Sequence, residues 1–288
     1  GTSAFQSLTA LFAAQPAYAG IIVVNGGTYA VANFAGGGAV TVRLVQDLTN
    51  AEPNVVVGSL SGDANDAIVT RFVNAANANL ILESGSFAGL ISGSGDVVKQ
   101  NTGTVTLSGA NTYTGATIIN GGVLSVGDVA NSGTASHLGS GNSVTISGNS
   151  VLQFTGAAAD AMNRTVSIAA SSGAISPRIE VTNAAGDLQL TGTVAGAGQI
   201  LGKIGAGSLS LETGSTTTIG TLYYAGGTGN IRGTASVTAG QIAVGASPFF
   251  IVGGGSGTLN IQGTATITTG TIHLGENNGG PPQTDALN

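Results

Sequence analysis

An all-β fold of short strands stacked in coils, a β-solenoid, is what this sequence predicts, and three observations carry the prediction. The first is composition: 49 of 288 residues are Gly, only 7% are charged, and Cys and Trp are absent. The second is the steady alternation of short apolar/polar strands with turns that contain Gly or Asn. The third is internal repetition, which marks a fold made of stacked units.

Composition narrows the class. An ordinary globular domain carries about 25% charged residues and about 7% Gly. This chain is 42% hydrophobic, mostly in small and β-branched side chains, whereas disorder requires low hydrophobicity and high net charge. Thr, Val and Ile favour extended backbone, and Gly and Asn supply the positive φ angles of tight turns. The net charge is -6, and the seven basic residues, Arg43, Arg71, Lys99, Arg164, Arg178, Lys203 and Arg232, are spread singly. No basic stripe results, which argues against nucleic acid or an anionic membrane as partner. No apolar run approaches the roughly 18 to 20 residues of a membrane span, so membrane insertion is not expected. Without Cys there are no disulfides and no thiolate zinc sites.

The repeats can be aligned by eye. Asn230-Ile231-Arg232-Gly233-Thr234-Ala235-Ser236-Val237-Thr238 returns as Asn260-Ile261-Gln262-Gly263-Thr264-Ala265-Thr266-Ile267-Thr268, within matching segments 230–245 and 260–275. Gly89-Leu90-Ile91-Ser92-Gly93-Ser94-Gly95 recurs in degenerate form over 192–213 as Gly192-Thr193-Val194-Ala195-Gly196-Ala197-Gly198. Each of these copies leads to a Lys and a further strand: Lys99 to Gly103-Thr104-Val105-Thr106-Leu107, Lys203 to Gly207-Ser208-Leu209-Ser210-Leu211. Such strands are too short and too close for βαβ units, which leaves sandwich, barrel or solenoid, and repetition at near-constant spacing selects the solenoid. Coils of roughly 20 to 25 residues would give about a dozen levels at about 4.8 Å each.

The expected organisation is an irregular N-terminal cap over 1–54, solenoid repeats over 55–278 and a polar tail over 279–288. Ile21 to Val24 and Val40 to Val45 read as strands in the cap. Phe5, Leu8, Leu11 and Phe12 are at helical spacing, and Asp66 to Ala76, with Ile68, Phe72 and Ala76 in step, reads as one short helix, so one or two short helices are expected at this end. Terminal coils need caps to protect an open strand edge. Ala17-Tyr18-Ala19 before Gly20 has the small-x-small form of a secretory cleavage site, with a capping helix as the preferred reading. The opening at Gly1 fits a processed or trimmed chain.

Residues 93–127 resemble the passenger-associated transport repeat, the autotransporter-associated β-strand repeat of secreted bacterial passenger domains. The likeness lies in Gly103-Thr104-Val105-Thr106-Leu107-Ser108-Gly109-Ala110-Asn111-Thr112-Tyr113-Thr114-Gly115 and in the exit Ala116-Thr117-Ile118-Ile119-Asn120-Gly121-Gly122-Val123-Leu124-Ser125-Val126-Gly127. The resemblance implies a right-handed parallel β-helix outside a Gram-negative cell, exported through the outer membrane, with Lys99, Gly103, Asn111, Tyr113, Gly115, Asn120, Lys203 and Gly207 as structural motif residues. It implies adhesion, aggregation or a stalk, and does not imply a catalytic site. The family's C-terminal translocator barrel does not occur in these 288 residues; Gly279-Gly280-Pro281-Pro282 breaks the repeats, so either a translocator was removed or the chain is a free-standing subunit.

The search for chemistry yields little. His137 and His273 have no second His at metal-ligand spacing, and a nucleophilic triad lacks material. Asp63 with Asp66 reads as a cap or Asx turn ahead of glycosidase carboxylates or a Ca²⁺ site. Gly36-Gly37-Gly38, Gly93-Ser94-Gly95 and Gly253-Gly254-Gly255 lack the helix and cation of a phosphate loop and read as corners. Catalytic, cofactor and metal residues are therefore expected to be none, and the chain is not expected to be an enzyme. Tyr223-Tyr224 and Phe249-Phe250 place one ring on either face of a strand, so at least one ring of each pair is expected outward as a surface contact. The expected partners are the chain itself or a host or matrix surface, with a glycan as a further choice. The leading reading is an extracellular structural or adhesive protein, the alternatives being the subunit of a filament, sheath or surface layer and a polysaccharide-degrading enzyme.

Overall fold

The structure, a computed structural model, describes residues 20–24, 27–33, 40–45, 55–62, 64, 66–71, 79–169, 176–245, 257–274 and 286–287. Within them the regular structure is all strand, and the strands pair in parallel from one coil to the next. The chain winds through three faces per coil. On the first, Val97–Lys99, Thr117–Ile119, Ser143–Ser147 and Thr165–Ala169 lie side by side. On the second are Thr104–Leu107, Val123–Val126, Val151–Phe154 and Arg178–Val181. The third carries Ala159–Met162, Asp187–Leu190, Ser208–Leu211, Gly227–Ile231 and Gly257–Ile261. Longer strands such as Thr216–Tyr224, Ser236–Val244 and Thr266–Leu274 run through the first face into the second.

Those long strands turn at a stack of glycines. Pairing between Thr193–Ile204 and Thr216–Tyr224 breaks between Gly196 and Ile200, and a Cβ on Gly240 or Gly270 would stand 2.8 Å from the carbonyl oxygen of the glycine one coil below. A bare backbone lets successive coils bend at the same place.

Periodicity of two explains the core. Along Ser143–Ser147 and Thr165–Ala169, Val144, Ile146, Val166 and Ile168 are buried while their neighbours face out. Parallel register then sets like on like: Val97, Thr117, Val144, Val166, Val194, Thr217 and Val237 form one inward column across seven levels. Each buried Val or Ile contributes roughly 1.5 to 3 kcal/mol, so a core of short side chains suffices when stacked this often.

The solenoid expected from repetition is present. From Gly27–Asn33 to Thr266–Leu274 the first face alone counts eleven levels, close to the dozen expected. The thirty-residue repeat stacks on itself, with Asn230 over Asn260 and Ser236 over Thr266. Coil length varies more than expected, from 17 residues (Leu80 to Val97) to 30 (Ser236 to Thr266), because excess residues are taken up at corners.

The helix expected over 66–76 is a correction. Ala67–Arg71 is a strand paired with Val40–Val45 and Leu90–Gly93, and Ile68 stands between Val42 and Ile91 in the stack. Ile68, Val69 and Thr70 are β-branched and prefer this state, and inter-coil pairing overrides the helical spacing. Residues 72–76, like Phe5 to Phe12 and Ala17 to Ala19, lie outside the described residues. Gly20–Val24 and Gly27–Asn33, in the segment read as an irregular cap, already pair in parallel with Val40–Val45 and Val55–Gly62.

Candidate functional site

The residues that carry the sequence motif converge on corners of the coil. Lys99 closes the first-face strand Val97–Lys99 and is buried; its Nζ donates to the carbonyls of Gln100 at 2.6 Å, Asn101 at 2.9 Å and Gly121 at 3.0 Å. Lys203 does the same with the carbonyls of Gly205 at 2.7 Å, Gly226 at 2.7 Å and Gly207. Each ammonium thus ties its own corner to the corner of the next coil. Gly122 and Gly227, at φ of 62° and 64°, leave room for it, since a Cβ there would stand 2.7 and 2.5 Å from Nζ. Burial pushes both lysines down to about 8, against the fields of Glu83 and Glu180. They remain ammonium groups at neutral pH, with three N–H donors for three acceptors.

The two Lys copies are not on the same face. Leu90–Gly93 belongs to the third face and leads to Lys99 at the end of the first. Thr193 to Gly196 belongs to the first, and Lys203 sits on the second. The repeated unit is a strand, a Lys and a turn that build a corner, and two different corners of the coil accept it.

Asn111 is fully buried between coils. Its Oδ1 accepts the N–H of Ile91 at 2.8 Å and its Nδ2 donates to the carbonyl of His137 at 2.9 Å. Tyr113 is also buried, its hydroxyl 2.7 Å from Thr117 Oγ1 and its ring against Gly139. Burial raises the phenol far above its ordinary value, so it stays protonated. Gly103 and Gly115 lie against the coil below, where a Cβ would meet the carbonyl oxygens of Glu83 and Gly95. Asn120 is exposed and accepts from Ser147 Oγ at 2.7 Å. Gly115→Ala is expected to lower stability by about 1 to 3 kcal/mol through overpacking against backbone that cannot yield, read as a lower midpoint in urea denaturation.

Between Val123–Val126 and Ser143–Ser147 the coil carries a long excursion on its third face, anchored by Arg164. The guanidinium, 1% exposed, donates from Nε to Ala130 O at 2.9 Å, from Nη1 to Leu138 O at 2.8 Å, and from Nη2 to Gly139 O at 2.6 Å and Ser136 Oγ at 3.2 Å. Asn163 Oδ1 accepts the Ser132 N–H beside it. His137 lies in this loop, and its Nδ1 accepts the N–H of Gly127 at 3.0 Å, which fixes a neutral tautomer with the proton on Nε2. Burial lowers the His137 pKa, with Asp128 and Asp160 opposing. The unfolded chain therefore takes up this proton first as pH falls. The contribution of His137 to stability is complete above about pH 6.5 and is lost below it. Wild type should lose thermal stability between pH 7 and pH 5 relative to His137→Gln; parallel pH profiles would show that the Nδ1 contact carries no weight.

The outward contact expected of Tyr223-Tyr224 is corrected. Tyr223 is 2% exposed and Tyr224 0%. Tyr223 does point away from the main core, but it packs with Ala225, Ala243 and Ile204 in a separate cluster and donates to Gly245 O at 2.8 Å. Tyr224 fills the coil interior over Gly229. Phe249 and Phe250, with Asp63, lie outside the described residues. Asp66 is buried, and its carbonyl accepts the Leu90 N–H at 2.9 Å. Among the described residues no three His, Asp or Glu side chains gather where they could hold a metal ion, and no helix is long and apolar enough to cross a membrane.

Sequence reasoning missed two arrangements. Arg164 was one of seven scattered cations, and nothing local announces its carbonyl cage. Between coils on the third face, Asn260 Nδ2 donates to Asn230 Oδ1 at 3.0 Å, Asn230 to Ser210 Oγ at 2.9 Å, and Ser210 to Asp187 at 2.5 Å. The thirty-residue repeat held the signal for the first link, since it sets Asn on Asn.

No curated protein and no solved structure matches the chain. A protein-family model, the passenger-associated transport repeat, does match, over residues 97–126. That segment holds Lys99, Gly103, Asn111, Tyr113, Gly115 and Asn120, the residues just placed at corners and between coils. The chain is accordingly a parallel β-helix of which residues 97–126 match the passenger-associated transport repeat.

Proposed function

We propose that this chain is an extracellular structural and adhesive β-helix, displayed at or released from the surface of a Gram-negative bacterium, and that it works by attachment or self-association rather than by catalysis. One observation carries the reading: the residues of the transport repeat that can do chemistry spend their polar groups inside the stack, Lys99 and Asn111 on hydrogen bonds between coils and Tyr113 on the buried hydroxyl of Thr117. What such a repeat builds is a stiff stack whose sides are free for contact. Fusion to an autotransporter translocator in a non-adherent Gram-negative host tests it. Cells displaying the chain should settle as aggregates or bind abiotic and matrix-coated surfaces at least several-fold more than cells with the translocator alone. Equal binding, or shortening of neutral or acidic glycans by the purified chain, would overturn the proposal.

A further inference from the structure

Stacking organises one outward surface into a lattice. On the first face the outward residues of six successive coils pair as rows: Ser143 and Thr145, Thr165 and Ser167, Thr193 and Ala195, Thr216 and Thr218, Ser236 and Thr238, Thr266 and Thr268. Eleven of these twelve positions are Ser or Thr. The two columns stand two residues apart along the strand, about 6.6 Å, and the rows repeat at about 4.8 Å. Thr193, Thr216, Thr218, Thr238, Thr266 and Thr268 are exposed, and among the described residues the hydroxyls of the array make no hydrogen bond to protein.

A second, independent feature sets the face apart. Eight charged residues occur between Ser143 and Leu274: Asp160, Arg164, Arg178, Glu180, Asp187, Lys203, Glu212 and Arg232. None lies on a first-face strand; Arg178, Glu180 and Lys203 belong to the second face and Asp160 and Asp187 to the third. The register break of Thr193–Ile204 begins beyond its Thr193 and Ala195, so the columns are continuous.

From this geometry we infer that the first face binds ice. Its surface is rigid, uncharged and free of aromatic rings, so it lacks the Arg, Trp and Tyr anchors of protein contacts, the stacking platforms that hold sugars and the basic groups that hold nucleic acid. It offers free hydroxyls and Thr methyls on a two-dimensional grid whose two spacings are close to oxygen repeats of the prism plane of hexagonal ice. Ordered water can occupy that grid with a hydrogen bond at each hydroxyl, and a stiff β-stack loses little entropy in meeting it. The inference rests on the face alone and is independent of the adhesive reading.

The test is adsorption of the purified chain to a slowly growing ice hemisphere, together with crystal growth in a nanolitre osmometer. Wild type should enter the ice, shape the crystals and hold growth below the melting point. Thr218→Lys with Thr238→Lys, and separately Thr193→Lys with Thr216→Lys, should reduce both effects at least tenfold with unchanged thermal melts, because these side chains face solvent. Thr228→Lys on the third face should behave as wild type. Exclusion of the wild type from ice overturns the inference, as does equal loss with Thr228→Lys. Selective retention on crystalline cellulose or chitin without ice adsorption would assign the lattice to a glycan and equally overturn it.

Discussion

Arg164→Met is expected to unfasten the excursion over residues 127–142, at a cost of about 3 to 5 kcal/mol, the range for removing one partner of a buried charged arrangement. The guanidinium satisfies the carbonyls of Ala130, Leu138 and Gly139 from three nitrogens at once. Methionine fills much of the volume and supplies no donor, so buried carbonyls are left unanswered at about 1 to 3 kcal/mol each. Arg164→Lys should recover little, because one ammonium cannot reach acceptors spread around a planar fork. Amide hydrogen exchange provides the measurement. Gly139, Ser140 and Ser136, whose N–H groups bond to Ser136, Tyr113 and Asn111, should lose protection in both variants, while Val151 and Thr155 on the second face keep theirs. Protection that survives in Arg164→Met would show that the surrounding packing holds the loop unaided.

Lys99→Met and Lys203→Met should each cost about 2 to 4 kcal/mol, since hydrogen bonds to a charged group are worth about 1.5 to 3 kcal/mol and the lost transfer penalty returns part of the sum. The pattern matters as much as the size. Each Nζ joins two successive corners, so loss of Lys99 should weaken protection near both Asn101 and Gly121, and loss of Lys203 near Gly205 and Gly226. In a stack held by nearest-neighbour contacts the two lesions, at levels well apart, should be additive in the double variant. A double variant no less stable than either single one would mean that the coils melt independently at these corners.

Much of the fold was legible because a solenoid repeats its local solution. Alternation of Val, Ile and Thr with Gly-bearing turns announces strands and corners, and Asn230 and Asn260 stack as their thirty-residue spacing requires. The helix read from Asp66 onward fails over Ala67–Arg71, where pairing with strands in two other coils outweighs a local pattern. Tyr223 failed for a different reason. Alternation correctly turns it away from the core, but cover from Ile204, Ala225 and Ala243 arises only from how neighbouring coils sit. The lattice of hydroxyls was equally hidden: each Thr is an ordinary strand residue in sequence, and only register across coils of 20 to 30 residues makes columns of them.

That the thirty-residue repeat stacks on itself, Asn230 over Asn260, has a consequence for how the rod changes size. A segment that begins and ends at equivalent corners, such as 230–259, can be copied in tandem, and the copy will find the same neighbours above and below that the original had. Each duplication would lengthen the molecule by one step of about 4.8 Å while leaving every existing contact in place. The reach of such a protein is thus set in discrete increments by the number of repeats, and unequal recombination within the repeats is sufficient to adjust it.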